Sequence, residues 1–560
     1  MSKLLKRAKA WRDQDPDEQT RAELADLIQR TKDGDEDAEA ELADRFDGRL
    51  EFGTAGLRGE LGPGSARMNR VLVSQAAAGL AAYLREKAGE DASPTVVIGY
   101  DGRRNSRVFA EDSAELFAGA GLHAVLLPRL LPTPVLAFAV RHLDAAAGVM
   151  VTASHNPPND NGYKVYLGGE DAGSQIVSPA DAEIAAHILR VAESGPVGDL
   201  PRSTEYETAP ESLVEAYVAA TAAVGPAPAS AAEMAWTYTA MHGVGWETTA
   251  RVLKAAGYPA PTTVLAQIQP DGAFPTVSFP NPEEPGAMDL AFATARDSGA
   301  EFVIANDPDA DRLAVAIPDA AAEAGYRRLT GNQVGLLLGW RAARLSVTAG
   351  LSASLACSIV SSPGLQVIAE RYGLDFHATL TGFKWISRAP GLVFGFEEAL
   401  GYLVNPDTVR DKDGISATVA LLQIAAEARG RGLTLADVLA AFEEEFGFFA
   451  SDQVAIRVED LTVIGRIMAA LRADRPSALG DVAVSGIDDL LEPEGDGEVP
   501  PADVLRMRLE DGSRVIVRPS GTEPKLKAYL DVRGDSAEDA ASRLSALREA
   551  VEQLLASAQQ

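Results

Sequence analysis

A four-part pattern recurs along the chain: a short apolar run, a loop of small residues, an amphipathic helix and a glycine that ends the helix. The apolar runs lie at 95–100, 236–241 and 355–360, and the glycines are Gly121, Gly257 and Gly373. A short apolar run between turn residues is typical of a buried strand, and glycine commonly ends helices. The recurrence about every 120 to 140 residues predicts three similar α/β units rather than one large sheet.

The pattern changes near residue 450, where apolar and polar positions begin to alternate. Apolar residues occupy every second position over 505–509, and Asp511-Gly512 is typical of a tight turn between two strands. The sequence predicts a further strand over 525–532 and a long amphipathic helix over 537–556. Together these elements indicate a small antiparallel α+β domain.

The N-terminal region is highly charged, with a sparse apolar stripe at helical spacing, and predicts a helical arm. We therefore expect an α/β protein with three similar mixed-sheet domains and a C-terminal antiparallel α+β domain. The expected segments are the arm (1–45), the three α/β domains (46–210, 211–323 and 324–448) and the C-terminal domain (449–560). The third domain is expected to begin near Tyr326.

Composition and charge narrow the class of protein. A chain of 560 residues with 46% hydrophobic residues has ample material for several globular cores. The net charge of −30 argues against nucleic-acid binding, because such a surface repels phosphate at long range. No run approaches the ~18 apolar residues of a membrane span, and the single cysteine, Cys357, excludes an intramolecular disulfide. We expect a cytoplasmic protein without a membrane or nucleic-acid partner.

Ser154 lies where an apolar strand, 145–151, meets a polar loop of turn residues. A side chain at the end of a rigid strand is well placed to act as a nucleophile, although an ordinary turn serine has the same local sequence. The interpretation of Ser154 therefore depends on the motifs that accompany it.

A second apolar strand, 302–305, is followed by three carboxylates at alternate positions, Asp307, Asp309 and Asp311. Such carboxylates can converge on one hard cation, and without a cation their mutual repulsion is unfavourable. An EF-hand is disfavoured, because that loop needs a glycine and a glutamate that are missing here. We expect an open Mg²⁺ site, the alternative being a solvated acidic turn.

Three further loops carry groups suited to a phosphorylated polyol. Arg58 stands among glycines that let a ligand approach the backbone closely. The paired acids Glu397 and Glu398 can accept hydrogen bonds from vicinal hydroxyls. The loop 518–525 combines an arginine, two hydroxyls, a glycine and a lysine, which is the composition of a phosphate clamp. Each loop taken alone is also compatible with a solvated turn.

Taken together, a serine nucleophile, a metal site, a polyol-binding loop and a phosphate clamp indicate phosphoryl transfer on a phosphorylated polyol. Four of the loops resemble, in the same order, the signature loops of the α-D-phosphohexomutases. These loops are Thr152-Ala-Ser-His-Asn-Pro157, Asp307-Pro-Asp-Ala-Asp-Arg312, Gly395-Phe-Glu-Glu398 and Arg518-Pro-Ser-Gly-Thr-Glu-Pro524. With the Arg58 loop the resemblance covers nearly the whole chain. Segments 52–59, 380–385 and 409–414 resemble the branch that holds long phosphoglucomutases and phosphopentomutases.

The resemblance implies four domains around a central cleft and a phosphoserine enzyme. Ser154 would carry the phosphate at rest, and this phosphate would complete the shell of one Mg²⁺ held by Asp307, Asp309 and Asp311. Transfer to a sugar monophosphate would give a sugar 1,6-bisphosphate, which acts as intermediate and activator, and the other phosphoryl group would return to Ser154. The last domain would move so that the intermediate can turn.

The resemblance also implies roles for single side chains. His155 and Lys164 are both candidates for proton transfer, and Arg58 and Arg312 for stabilising charge on the phosphoryl group. The substrate-binding residues are Glu397, Glu398, Lys384 and Arg410 for the sugar, and Arg518, Ser520, Gly521, Thr522 and Lys525 for the phosphate that is not reacting.

The expected activity is the interconversion of glucose 1-phosphate and glucose 6-phosphate. The alternative activities are those of a phosphomannomutase, a phosphopentomutase and a glucose-1,6-bisphosphate synthase. Ala399 stands where many relatives have a serine, which removes one potential hydrogen bond to the sugar. The expected oligomeric state is a monomer or a homodimer.

Three other classes fit less well. A haloacid-type phosphatase with Asp307 as nucleophile would need Thr or Val where Asp311 stands, and a Ser-His hydrolase would need a Gly-x-Ser-x-Gly motif around Ser154. A regulator that only binds sugar phosphates would have no need of the intact serine and carboxylate triad.

Overall fold

The computed structural model describes residues 2–53, 56–89, 92–458, 460, 462–492, 500–520 and 525–559. The chain forms two compact units. The first comprises Met1–Leu329 and Gly401–Arg431, and the second comprises Thr330–Leu400 and Gly432–Gln560. In the ranges described, no helix is long and apolar enough to cross a membrane.

Three helices open the first unit: α1 (Lys3–Gln14), α2 (Glu18–Lys32) and α3 (Glu36–Arg45). Each begins at a side-chain cap, from Ser2, Asp17 and Asp35 respectively. Their apolar faces bury Trp11 edge-to-face against Phe46 and also pack on Val71 and Val197. The predicted helices are present, but they form a small packed cluster rather than a separate arm, because their apolar stripe needs a partner surface.

The first α/β domain is built around a mixed sheet. Its elements are β1 (Leu57–Glu60), α4 (Arg70–Ala88), β2 (Thr95–Tyr100), α5 (Ser106–Gly119), β3 (His123–Leu126), α6 (Thr133–His142), β4 (Ala147–Val151), β5 (Asp160–Leu167), β6 (Ser174–Gln175), α7 (Ala180–Ser194) and β7 (Glu207–Thr208). The strand order is β1-β5-β4-β2-β3-β7, with β6 beside β5. Strands β4, β2, β3 and β7 are parallel, β5 runs antiparallel to β4, and β1 runs antiparallel to β5. The central strand β4 is fully buried, as its apolar sequence predicts.

The second domain repeats this plan. Its elements are α8 (Glu211–Ala222), β8 (Trp236–Thr239), α9 (Gly245–Ala256), β9 (Thr262–Thr263), α10 (Asp289–Ser298), β10 (Phe302–Ala305), β11 (Ala314–Pro318) and β12 (Tyr326–Arg328). The order is β12-β11-β10-β8-β9, with β8, β9 and β10 parallel, β11 antiparallel to β10 and β12 antiparallel to β11. The prediction that the third domain begins near Tyr326 is wrong, because Tyr326 pairs with Pro318 and so extends the second sheet.

The third repeat follows in the chain. Its elements are α11 (Gly331–Thr348), β13 (Ser354–Ser358), α12 (Gly364–Tyr372), β14 (Asp375–Thr379), α13 (Phe383–Ile386), β15 (Leu392–Glu397), β16 (Gly401–Leu403), α14 (Gly414–Arg429) and α15 (Leu435–Phe446). In the second unit, β13 pairs in parallel with β14 and β15.

The segment that holds β16 and α14 corrects the expected third domain of 324–448. Residues 401–431 belong to the first unit, where the almost wholly buried α14 packs on α8 and α9. The predicted helix stops at Gly257 and Gly373 are confirmed, since both have the left-handed conformation that follows the end of a helix.

The C-terminal domain is the predicted antiparallel α+β structure. Its elements are β17 (Phe448–Arg457), α16 (Thr462–Ala473), β18 (Ala478–Leu479), β19 (Val482–Asp489), β20 (Leu505–Leu509), β21 (Arg514–Pro519), β22 (Lys525–Gly534) and α17 (Ala537–Ala558). The order is β17-β22-β21-β20-β19-β18. One face buries α16 and α17, and the other buries Ile516 and Tyr529 against Ile359 and Val360 of the same unit.

Candidate active site

Ser154 lies three residues beyond β4 and has a left-handed backbone, with φ of 50°. A non-glycine residue holds this conformation only where its surroundings enforce it. Its hydroxyl donates a hydrogen bond to Asp307 Oδ2 at 2.8 Å and lies 3.2 Å from His155 Nδ1. The backbone N–H of Ser154 donates to Thr152 Oγ1, which in turn donates to Asp101 Oδ2. The buried network fixes the serine against the carboxylates.

Asp307, Asp309 and Asp311 follow β10 in a short loop, and all three are fully buried. One oxygen from each lies within 4.8 Å of the others. Burial, followed by repulsion from Asp309 and Asp311, raises the pKa of Asp307 well above its ordinary value. Among the residues that the structure describes, Asp309 Oδ1 and Asp311 Oδ1 have no hydrogen-bond partner. A solvated acidic turn is excluded, and the donor set fits a hard divalent cation.

Two glycines let neighbouring chains approach this loop closely. A Cβ at Gly243 would lie 2.3 Å from Pro308 Cα, and one at Gly414 would lie 2.2 Å from the carbonyl oxygen of Arg312. Both distances are too short for any larger residue without a backbone shift. The loop before α9 and the start of α14 therefore hold the triad from two sides.

Two lysines compensate the negative charge of the triad. Lys164 Nζ donates to Asp309 Oδ2 at 2.8 Å and to Asp311 Oδ2 at 2.9 Å. Burial alone would lower the pKa of Lys164, but the two carboxylates outweigh it and the pKa is raised. Lys412 Nζ lies 3.1 Å from Asp311 Oδ2. Nothing in the local sequence marks Lys412 as a site residue, although it lies in the segment 409–414 that carries the resemblance.

Sheet register explains why Arg58 and Lys164 lie near Ser154. Lys164 on β5 pairs with Met150 on β4, and Arg58 on β1 pairs with Gly162 on β5. Three neighbouring strands thus place these groups at one end of the sheet, as cross-strand pairing requires. Arg58 also donates to the side chain of the residue two positions after Ser154, Asn156 Oδ1, at 3.2 Å.

His155 and Arg312 are the remaining predicted residues near Ser154 and the carboxylate triad. Burial and then the charges of Arg312 and Arg58 lower the pKa of His155 well below its ordinary value. Arg312 donates its backbone N–H to Asp307 Oδ1, and its Nε lies 3.9 Å from Asp307 Oδ2. The structure therefore brings together all eight predicted residues of the transfer site: Arg58, Ser154, His155, Lys164, Asp307, Asp309, Asp311 and Arg312.

In the second unit, Glu398 is held at the end of β15. Its Oε2 accepts hydrogen bonds from Ser358 Oγ at 3.2 Å and Ser361 Oγ at 3.0 Å, and its N–H donates to Ser361 Oγ. Leu400, with φ of 63°, turns the chain just after it. Glu397 is the last residue of β15. Glu397 thus ends the strand and Glu398 begins the turn that follows, where the two serine hydroxyls hold its carboxylate.

The phosphate-clamp loop lies in the same unit, between β21 and β22. Arg518 belongs to β21, and the N–H of Ser520 donates to the carbonyl oxygen of Lys525 at 2.8 Å. Gly521 and Thr522 lie outside the described residues.

Tyr529, on β22, was not among the predicted site residues. Burial and then the nearby Glu398 raise the pKa of its hydroxyl, whereas a hydrogen bond with Arg518 opposes the shift. Glu398 and Arg518, one from each of the two loops predicted to bind the substrate, therefore both lie close to Tyr529. A tyrosine in an alternating strand carries no specific signal in the sequence.

Lys384 and Arg410, the other two predicted sugar ligands, lie in different units. Lys384 lies on α13 in the second unit, with Nζ 5.9 Å from the ring centroid of Trp385. Arg410 lies in the first unit before α14, and Arg141 and Asp407 are charged groups beside it.

The fold and the site define a class of protein: a phosphoryl-transfer enzyme with a carboxylate metal site. Four family descriptions match this chain: "Phosphoglucomutase/phosphomannomutase", alpha/beta/alpha domain I at 49–194, domain II at 215–320, domain III at 330–446 and the C-terminal domain at 454–548. The chain belongs to this family within the α-D-phosphohexomutase superfamily, and it is a phosphosugar mutase.

Relatives with three kinds of names support this assignment. A Haemophilus influenzae protein named "Probable phosphomannomutase" is 54% identical and aligns over 87% of this chain and 98% of its own. The human phosphopentomutase is 34% identical over 87% and 85% of the two chains. A Staphylococcus aureus phosphoglucomutase is 33% identical over 90% and 93%.

A solved structure shows the same fold. The phosphoglucomutase/phosphomannomutase family protein from Burkholderia thailandensis superposes with a TM-score of 0.69 at 19% identity, over 91% of this chain and 98% of that one.

Proposed function

We propose that the protein interconverts the 1-phosphate and 6-phosphate of a hexose, with glucose as the preferred sugar, through a phosphorylated Ser154. The observation that carries this proposal is the position of Ser154 Oγ, 2.8 Å from Asp307 Oδ2 and beside two carboxylate oxygens without a hydrogen-bond partner in the described ranges. A turn serine does not require three buried carboxylates. A phosphoserine that shares a cation with them accounts for the arrangement.

Asp307, Asp309 and Asp311 are the residues that would hold one Mg²⁺. Their all-carboxylate donor set suits this ion, which commonly binds one or two protein carboxylates together with phosphate and water. The bound ion supplies charge neutralisation for the serine oxygen when its bond to phosphorus breaks.

The reaction consists of two transfers. In the first, the bond between phosphorus and Ser154 Oγ breaks, phosphorus bonds to a free sugar hydroxyl, and the hydroxyl proton passes to one of two candidates, the neutral imidazole of His155 or the neutral amine form of Lys164. Arg58 and Arg312 place positive charge beside the moving group. In the second, the other phosphoryl group of the bisphosphate moves to Ser154 Oγ, the released sugar oxygen takes up the proton, and the isomeric monophosphate leaves.

We assign substrate recognition to the second unit together with Arg410. Glu397 and Glu398 bind sugar hydroxyls together with Lys384 of the same unit, and the clamp residues Arg518, Ser520, Gly521, Thr522 and Lys525 bind the phosphate that is not reacting. Two adjacent carboxylates favour a sugar with vicinal hydroxyls. Hexose 1-phosphates and ribose 1-phosphate have them on the ring, whereas deoxyribose 1-phosphate does not.

The names of the relatives point to more than one sugar as the substrate. The Staphylococcus aureus phosphoglucomutase supports glucose, the Haemophilus influenzae protein supports mannose, and the human enzyme supports a pentose. A bisphosphate synthase is a further alternative, which would accumulate the bisphosphate in place of the isomeric monophosphate.

A substrate panel tests the proposal. The 1-phosphates of glucose, mannose, ribose and deoxyribose are assayed with Mg²⁺, with and without sugar 1,6-bisphosphate. We expect the highest kcat/KM for glucose, the lowest for deoxyribose, and activation of any dephosphorylated enzyme by the bisphosphate. A higher kcat/KM for mannose or ribose would replace glucose as the substrate, and no isomerisation of any sugar would refute the mutase proposal.

Intact-mass measurement tests the role of Ser154 separately. We expect one labile phosphate on the wild-type chain and none on Ser154→Ala. A phosphate retained by the variant would place the nucleophile elsewhere. The cytoplasmic location and the monomeric or homodimeric state remain predictions, and size-exclusion chromatography with light scattering measures the latter.

A further inference from the structure

Arg103, in the loop between β2 and α5, gathers the backbone of the loop that carries Ser154. Its guanidinium donates hydrogen bonds to the carbonyl oxygens of Ser154 at 2.6 Å, Asn156 at 2.5 Å, Pro157 at 2.8 Å and Asp160 at 3.1 Å. The residue is 4% exposed. A planar guanidinium with several donors in a fixed fork can bind this many carbonyl groups at once, and a lysine ammonium cannot match the geometry.

The surroundings of Arg103 fix its own position. Asp101 Oδ1 accepts the backbone N–H of Arg103 at 2.9 Å, and Asp101 Oδ2 lies 3.6 Å from its Nε. The ring centroid of Phe274, from the loop between β9 and α10, lies 4.9 Å from the guanidinium carbon. A Cβ at Gly272 would lie 3.1 Å from Arg103 Cα, so the backbone of the same loop also closes on the arginine. The guanidinium therefore has little freedom to leave the four carbonyl groups.

These contacts act on the strained peptide at the nucleophile. Ser154 has φ of 50°, and its carbonyl is one of the four that Arg103 binds. A trans peptide group directs its C=O and N–H in opposite directions, so the N–H of His155 points away from the guanidinium. On the other side of the residue, the N–H of Ser154 donates to Thr152 Oγ1, which Asp101 holds. The Asp101–Arg103 pair thus restrains both peptide groups that flank the serine.

We propose that Arg103 is the positioning residue that maintains the left-handed backbone at Ser154 and so directs its Oγ toward Asp307. The proposal rests on the proposed role of Ser154 as the phosphoryl carrier. Arg103 binds the backbone of the loop, and none of its described hydrogen bonds is to Ser154 Oγ. Its loss should therefore slow the transfer without weakening the binding of the sugar phosphate.

The test compares Arg103→Met and Arg103→Lys with a neighbouring control, Arg104→Met. Arg104 belongs to the same loop, but its guanidinium donates to a side chain, Asn159 Oδ1, at an exposed position. We expect kcat to fall on the order of 100-fold in Arg103→Met with KM changed by less than about threefold, because a small misplacement of a reacting group has this effect. The kcat of Arg103→Lys should lie between those of Arg103→Met and the wild type, since lysine keeps the charge but lacks the planar fork of donors. The kcat of Arg104→Met should stay within about twofold of wild type.

Circular dichroism and thermal unfolding show which variants are folded, and amide exchange over residues 152–160 reports on the loop. A folded Arg103→Met with wild-type kcat overturns the proposal. An equal fall of kcat in Arg104→Met also overturns it, as does an Arg103→Met variant whose whole loss of kcat/KM comes from a higher KM. If Arg103→Met does not fold, Arg103→Lys decides: lowered kcat at constant KM supports the proposal, and wild-type kcat overturns it. Failure of the proposed function is distinguishable, because Ser154→Ala would then keep its labile phosphate whatever the Arg103 variants do.

Discussion

Thr133 shows how a single hydroxyl supports the proposed metal site. The residue begins α6, where its Oγ1 donates to Asp309 Oδ2 at 2.7 Å and its N–H donates to the carbonyl oxygen of the same aspartate. Thr133→Val keeps the shape and removes the side-chain donor. We expect the half-saturating Mg²⁺ concentration to rise about 10- to 100-fold, as is common when a group that orients a metal ligand is lost. Activity measured against Mg²⁺ concentration checks this.

A matched control for this change is Thr248→Val in α9. Thr248 is fully buried in the same unit, and within the described part of the chain its hydroxyl has no hydrogen-bond partner. The control should keep the Mg²⁺ dependence of the wild type. An equal shift in both variants would mean that loss of packing, and not loss of the hydrogen bond to Asp309, is responsible.

Cys357 provides an independent check on burial in the second unit. The residue lies in β13 and is 2% exposed, and burial raises the pKa of its thiol to about 12. Because the thiolate is the reactive form, the native protein should not react with a thiol-specific reagent near neutral pH. In denaturant the chain should take up one equivalent, since the sequence contains one cysteine. Rapid labelling of the native protein would contradict the packing of β13.

The residues that could be predicted from the sequence are those whose local context carries a signal. Asp307 and its two partners follow an apolar strand at alternate positions, and Ser154 follows another, so their motifs are visible without a structure. Thr133 lies 176 positions from Asp309, and nothing in its local sequence marks it. Lys412 and Arg103 are missed for the same reason: their roles depend on contacts made by the folded chain.

The start of α14 is a structural element that positions the loop of the carboxylate triad, residues 307–312. Gly414 is its first residue, and a Cβ there would lie 2.2 Å from the carbonyl oxygen of Arg312 and 2.8 Å from Asn306 Nδ2. Gly414→Ala must therefore displace either the helix or the loop. We expect a loss of about 1 to 3 kcal/mol in the free energy of unfolding, together with reduced activity, since overpacking of a tight contact has this cost. Thermal unfolding and the standard assay measure both.

Gly465, inside α16, is the matching control. Apart from its chain neighbours and the backbone of its own helix, no heavy atom of the described residues lies within 4 Å of the position that its Cβ would take. Gly465→Ala should leave activity unchanged and stabilise the protein by up to about 1 kcal/mol, because alanine has the higher helix propensity. Destabilisation by this control of the same size as by Gly414→Ala would refute the argument from close approach.

Elements set by the local sequence pattern are predicted correctly, whereas those that depend on contacts between distant segments are not. The strand, helix and glycine pattern predicts each repeat, since hydrophobic periodicity is set locally. The Ala- and Glu-rich sequence just before Tyr326 is typical of a domain boundary, yet the strand that begins at Tyr326 pairs with β11. Residues 401–431 likewise join the first unit through the packing of α14 on α8 and α9. Strand pairing and helix packing between distant segments have no local signature.

The distribution of charge reconciles an acidic protein with an anionic substrate. The net charge is −30, but cations are concentrated at the transfer site, where Arg58, Lys164, Arg312 and Lys412 surround the carboxylates. Long-range repulsion disfavours polyanions such as nucleic acids, whereas these local cations can donate hydrogen bonds to a small phosphate. The transfer residues all lie in the first unit, and the polyol and phosphate loops lie in the second.

This division predicts that chemistry and recognition can be separated by substitution in the full chain. Arg518→Met removes a cation from the phosphate clamp but leaves the first unit intact. We expect KM for the sugar phosphate to rise about 10- to 100-fold, because a hydrogen bond to a charged group contributes about 1.5 to 3 kcal/mol. The labile phosphate on Ser154, measured by intact mass, should remain at the wild-type level.

Arg506→Met is the control within the same sheet, since Arg506 on β20 pairs with Asp488 through its guanidinium at 2.8 Å. Its KM should stay within about twofold of wild type, as expected for a partly exposed ion pair. If Arg518→Met also loses the phosphate on Ser154, the second unit takes part in the transfer itself and the division of roles is wrong. If KM rises equally in both variants, disturbance of the C-terminal sheet explains the effect and Arg518 has no specific part in phosphate binding.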